Sequence, residues 1–152
     1  MRFLAAFAIG AVMLFGVVPA FSHGDEKFGE PGDPKAAARE ITIVMDETAD
    51  GKMSYSPNKL EIKLGEQIRF ILENHGKVDH DFFLGPEGVI DEHAEEVKKD
   101  PNAEIDEPNW TRVKAGGKGD LRWHFTEPGD LDFASVIPGQ IEAGMFGAIT
   151  VK

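Results

Sequence analysis

Three side chains able to bind or react, Ser135, Gln140 and Met145, recur at intervals of five in the stretch DFASVIPGQIEAGMFG, Asp132 to Gly147. The stretch lies between two runs of strand pattern, so the three project from one loop. Loops carried on a rigid scaffold are common places for binding and catalysis. An acyl-transfer reading would join Ser135 to His80 and Asp81 as a triad. Neighbours on a strand point to opposite faces, so His80 and Asp81 do not aim at one serine. No Gly-x-Ser-x-Gly elbow or other oxyanion device surrounds Ser135. No catalytic residue is assigned, and the chain is not read as an enzyme. Cysteine is absent. That removes thiolate nucleophiles, thiolate metal ligands and disulfides, so the core must supply the stability.

The elements that would carry this loop follow from hydrophobic period. Ile41, Ile43 and Met45 alternate in EITIVMD, as on a half-buried strand. Leu60, Ile62 and Leu64 alternate, Gly65-Glu66 turns the chain, and Ile68, Phe70 and Leu72 alternate again, which predicts two strands around a tight turn. DHDFFLG is a further short strand. IDEHAEEVKKDP changes period: Ile90, Ala94 and Val97 share one helical face, and Pro101 follows the end. Leu121, Trp123 and Phe125, then Leu131 and Phe133, resume the strand alternation, and MFGAITVK makes the last strand. Phe70, Phe82, Phe83, Trp123, Phe125 and Phe133 are expected in the core, with Phe146 nearer the rim. Seven or eight short strands punctuated by Gly and Pro predict an all-β antiparallel sandwich with one short inserted helix.

The residues at the end of this sandwich resemble those of the cupredoxins, in particular the small periplasmic cupredoxins associated with copper resistance (plastocyanin- and azurin-like). His80-Asp81-Phe82 matches that family's His-acidic-Phe strand start. Phe133, Ala134, Ser135, Pro138, Gly139, Gln140, Glu142, Ala143, Gly144 and Met145 match its loop F-A-C-x-x-P-G-H-x-E-A-G-M. Ser56-Pro57, Gly65-Glu66, Leu84-Gly85, Glu92-His93-Ala94, Pro108-Asn109, Pro128-Gly129 and the HGDEKFG start are further shared landmarks. The resemblance implies a cupredoxin-like Greek-key β-sandwich over residues 40–152. It also implies a blue-copper centre of two His, one Cys and a weak axial Met.

The departures fall on the chemistry. Ser135 stands at the Cys position and Gln140 at the second His position, leaving His80 and Met145 as the retained ligand positions. A serine hydroxyl stays protonated and is a hard donor, and Gln offers an amide oxygen in place of an imidazole nitrogen. The resemblance also implies extra Met and His ligands near the helix, where this chain keeps His93 but has Ala103 and Ile105. The expectation is a degenerate type 1 site unable to run fast electron transfer. Either copper is held weakly, by His80 and Met145, or no metal is held and a His80–Ser135–Gln140 cluster closes the site. His75, in a turn, and His124, facing solvent from its strand, are read as structural or solvated, as is His93 on the helix among its carboxylates.

The first 22 residues carry one Arg and an apolar run from Phe3 to Val18, with Ala20 and Ser22 at a small-residue exit. They read as a secretory signal peptide, an uncleaved anchor being the alternative. Export to the periplasm is the expected location, with no membrane-integral part after cleavage. Cleavage before His23 would place an α-amine and an imidazole together, a further Cu(II) chelate. Residues 23–39, rich in Gly, Pro and charge, read as a flexible N-terminal arm. From His23 onward 15 basic residues face 27 acidic ones, a net charge of −12. That argues against nucleic acid and anionic lipid as partners and suits a basic periplasmic protein. A metal-free protein-binding module is the alternative function.

Overall fold

The computed structural model describes residues 27–101 and 105–152. The leader, His23 and Ala103 lie outside the described residues. Ten strands and one helix follow in the order β1 (Glu30–Pro31), β2 (Arg39–Glu47), β3 (Met53–Ser56), β4 (Lys59–Ile62), β5 (Gln67–Asn74), β6 (His80–Gly85), α1 (Glu87–Lys99), β7 (Trp110–Val113), β8 (Lys118–His124), β9 (Gly129–Ala134) and β10 (Phe146–Val151). They form two five-stranded sheets, ordered β1-β8-β5-β2-β3 and β4-β10-β9-β6-β7. The all-β sandwich with one inserted helix is thus the observed architecture, but with ten strands and, in the β2–β5 and β4–β10 pairs, parallel pairing where an antiparallel sandwich was expected.

The alternation read from the sequence is the alternation of burial. In β5 every second residue is buried, and Ile68, Phe70 and Leu72 are fully so. They meet Phe82, Leu84 and Phe133 from the other sheet in one core cluster. Phe82 lies 5.1 Å from both Phe70 and Phe133, centroid to centroid. All six aromatic residues expected in the core are buried, five of them in this cluster and Phe83 in a second one with Ile90, Ala94 and Val97. Each full burial of such a side chain stabilises the fold by about 1.5–3 kcal/mol relative to exposure.

The tight turn between Leu64 and Gln67 does not make a hairpin. β4 pairs in parallel with β10, whereas β5 pairs with β2 and β8 in the opposite sheet. The turn carries the chain across the sandwich, anchored by Leu64 N–H to Lys152 O (3.0 Å) and Gly65 N–H to Phe125 O (2.7 Å). Leu64 therefore lies beyond the strand and is 50% exposed. The run SYSPNKLEI is likewise two strands, β3 and β4, one in each sheet.

Residues 27–38, expected to form part of a mobile arm, lie on the sheet. Phe28 stacks on Trp123 at 5.1 Å, β1 pairs with β8, and Gln67 bonds the backbone at Asp33 in both directions. The Gly- and Pro-rich composition hid the one aromatic residue that anchors the stretch. Helix α1 buries Ile90, Ala94 and Val97 as predicted. His93 is buried with them, at 5% exposure, its ring edge on Phe83 at 4.6 Å and its Nδ1 donating to Val89 O at 3.0 Å. Of the two readings of His93, structural or solvated, the structural one holds, but not on the carboxylate face: it lies one residue from Ala94, inside the apolar arc.

Candidate metal centre

Strand β6 places His80 at its first position, opposite Val113 of β7, and strand β2 brings Glu47 to the same end of the sandwich. The loop after β9 supplies Ser135 and Gln140, and Met145 closes it before β10. His80, Ser135 and Met145 have no exposure, and Gln140 has 5%. The loop's own backbone sets this arrangement. Ser135 N–H donates to Met145 O at 3.1 Å, and Met145 N–H to Gln140 O at 2.9 Å. Met53 N–H donates to Ala143 O at 2.9 Å, tying the loop to β3. Gly144 has φ +108, and a Cβ there would stand 2.7 Å from Met53 O, so only glycine permits this close approach.

The histidine is held from both sides. Its Nδ1 lies 2.7 Å from Gln140 Oε1, and its Nε2 lies 3.1 Å from Glu47 Oε1. The orientation of the Gln140 amide follows from its other contact: Nε2 donates to Asp79 O at 2.9 Å, so Oε1 must face the ring. Glu47 Oε1 also accepts the N–H groups of Lys77 (3.0 Å) and Val78 (2.9 Å), so it is an acceptor toward His80 as well. Both ring nitrogens therefore meet acceptors. The arrangement is satisfied in full when each carries a proton, the ring forming a charge-assisted pair with the Glu47 carboxylate.

Ser135 has a different partner from the one expected. Its Oγ accepts the N–H of Asp81 at 3.1 Å. The Asp81 carboxylate, also fully buried, faces Arg112 across the β6–β7 pair with contacts of 2.7 and 3.0 Å. That contact raises the Arg112 pKa, burial opposing it. Tyr55 donates its hydroxyl to Asp81 O, and burial, then the Asp81 charge, pushes its pKa up, so it remains a phenol. Asp79, whose carbonyl serves Gln140, has its carboxyl held low by the Lys114 ammonium. The structure thus joins His80 to Gln140 directly and leaves Ser135 in a separate bond. Ser135, His80 and Asp81 make no proton relay.

Glu47 is the residue the sequence reading missed. Its signal was present: it continues the inward alternation Ile43, Met45, Glu47, and a carboxylate on an apolar face needs a partner. Of the other histidines, His75 is exposed beside Glu73, and His124 pairs with Glu30 at 2.9 Å. Among the described residues, no three His, Cys, Asp or Glu side chains stand together as a metal-binding group.

Two five-stranded sheets closed at one end by a histidine and a polar loop define a cupredoxin-type sandwich. The chain belongs to the copper binding proteins of the plastocyanin/azurin family, whose pattern it matches over residues 42–152. It is similar to the copper-resistant cuproprotein CopI of Rubrivivax gelatinosus, 37% identical across 88% of this chain and 79% of that protein. A second protein of that name, from Pseudomonas aeruginosa, is 32% identical across 99% of this chain and 97% of its own length. In structure the chain is similar to auracyanin B, with a TM-score of 0.66 over 82% of this chain and 96% of that one, at 21% identity.

Blue copper requires a thiolate and two imidazole nitrogens with free lone pairs. Here the position of the thiolate carries a hydroxyl already accepting an amide proton, and the second imidazole is a carboxamide that engages the first. The residues present do not fit that group.

Proposed function

We propose that this chain is an exported, periplasmic protein of the copper-resistance cupredoxins that works as a binding protein, not as an electron carrier or an enzyme. The observation that carries the reading is His80 spanning Gln140 and Glu47, with both ring nitrogens engaged. A buried imidazole left without partners would cost about 1–3 kcal/mol. Gln140 and Glu47 remove that cost without a metal, which explains why the substituted loop position is polar. The similarity to proteins named copper-resistant cuproproteins supports a place in copper handling. It also supports a second reading, weak Cu(I) binding through His80 and Met145, with Cu(II) at an N-terminal His23.

An anaerobic Cu(I) competition titration of the protein beginning at His23, paired with thermal unfolding and a Cu(II) spectrum, tests the choice. A ligand that binds only the folded state must raise the unfolding midpoint. The proposal expects no rise with Cu(I) and no thiolate-to-copper band. Cu(II) affinity that disappears when His23 is removed would leave the sandwich metal-free. A midpoint rise with Cu(I) that His80→Phe abolishes would establish the second reading instead.

A further inference from the structure

Helix α1 and the loop after β9 enclose two adjoining cavities of about 320 Å³ each, which share Asp91 and Ile141. The cavity toward β10 is lined by Ile90, Ala134 and Ile141, with Phe146 at its edge. Phe146 is 56% exposed, more than the other large hydrophobic side chains exposed among the described residues. The polar residues of this lining are Glu87, Asp91 and Asp132, and no Lys or Arg lines it. In the adjoining cavity the one cation, Lys98, is bound to Glu95 at 2.6 Å. The groove therefore combines an apolar floor with a rim in which carboxylates outnumber the single cation, Lys98, whose charge is shared among Glu95, Glu142 and Asp91.

We propose that this groove docks a basic, apolar-bearing peptide segment of another protein. An apolar side chain would pack between Phe146 and Ile141 while Lys or Arg side chains reach Glu87, Asp91 and Asp132. Charge selects this occupant. A second copy would bring the same carboxylates against themselves, and an anionic membrane or a nucleic acid would be repelled. Asp132 bears the mark of such a site: burial first, then the charges of Glu87, Asp130 and Asp91, raise its carboxyl pKa. A cationic side chain would relieve that repulsion. The inference deepens the reading of the chain as a binding protein and rests on it for the partner's role, but not on the metal content of the loop.

The test is fluorescence anisotropy with a labelled amphipathic Lys/Leu peptide, run beside an all-Lys peptide of equal charge. The Lys/Leu peptide is expected to bind the more tightly, with an affinity that falls as salt rises. D91N/D132N and Phe146→Ser should each weaken it about tenfold, as interface anchors do. Circular dichroism confirms that both variants fold. Absence of binding at low ionic strength, equal binding of the all-Lys peptide, or indifference to both variants would overturn the proposal. So would binding of anionic vesicles in preference to the peptide, or a sedimenting dimer that Phe146→Ser dissociates. The copper titration is scored separately. A Cu(I)-raised midpoint with peptide binding intact defeats only the metal-free reading, and failed peptide binding without a copper effect defeats only this one.

Discussion

Replacing Glu47 by Ala removes one oxygen that accepts three N–H groups. Two belong to the backbone of Lys77 and Val78, both exposed residues, and water can take over there at little cost. The third belongs to His80, whose side chain has no exposure, so its charge-assisted hydrogen bond is lost outright, at about 1.5–3 kcal/mol. With the amides included, E47A should destabilise by about 2–4 kcal/mol. Breaking a fully buried pair costs about 3–5 kcal/mol, and the 17% exposure of the Glu47 side chain places this case lower. E47Q keeps an amide oxygen for the two backbone donors and loses only the charge, about 1–2 kcal/mol. Urea unfolding measures both as a shift in midpoint at constant slope. A cycle with His80→Phe isolates the pair, and a coupling of about 1 kcal/mol or more is expected. Nitrogen NMR of the His80 ring gives a direct reading, with a proton expected on each nitrogen. An E47A protein within about 0.5 kcal/mol of the parent, or a ring with one bare nitrogen, would refute the reasoning.

Three further outcomes follow from the same contacts. Ser135→Cys with Gln140→His frees His80 Nδ1 while Glu47 still holds Nε2, as a carboxylate holds a metal-bound histidine. Cu(II) should then produce an intense thiolate-to-copper absorption, and a folded but colourless variant would show that the loop has moved. Arg112→Ala leaves the Asp81 carboxylate buried without its cation and should cost about 2–4 kcal/mol in urea; adding Asp81→Leu should recover much of it, and no recovery would mean the cost lay elsewhere. Asp132→Asn should raise the melting temperature at neutral pH, since a carboxylate whose folded pKa is raised penalises the folded state once ionised. That gain should fade as pH falls through the folded and then the ordinary aspartate value. A gain that persists in acid would assign it to something other than charge.

Fold was legible wherever period alone decides burial. Ile68, Phe70 and Leu72 announced an inward face, and Ile90, Ala94 and Val97 a helix. What period cannot report is which sheet a strand joins. β4 and β5 flank a turn of hairpin appearance, closed by Glu66 N–H to Lys63 O, yet they pair in opposite sheets, because Leu64 N–H and Gly65 N–H bond outward to Lys152 O and Phe125 O and carry the chain across the sandwich. The loop residues Ser135, Gln140 and Met145 could be grouped from the sequence, because their spacing is local. The other half of the site could not: Glu47 lies 33 positions from His80 and meets it only through the parallel pairing of β2 with β5. His93 was misplaced for a related reason, since polarity in a sequence argues for exposure and only the ring's fit against Phe83 argues for burial.

The form of the loop around Ser135 and Gln140 follows from where its order resides. Ser135, Gln140 and Met145 are linked by main-chain hydrogen bonds, Ala143 N–H and Gly144 N–H close turns onto Gly139 O and Ile141 O, and Met53 binds the loop from the neighbouring strand. None of these bonds passes through a ligand side chain. The side-chain positions are therefore free to change, provided that whatever faces His80 satisfies it, because β6 buries that ring regardless of the loop's chemistry. An apolar residue at 140 would leave Nδ1 without an acceptor and Asp79 O without its donor. Glutamine meets both needs in one side chain, and the Ser135 hydroxyl meets the amide of Asp81. Polar residues at 135 and 140 are thus what this geometry demands of a loop without a thiolate and a second imidazole.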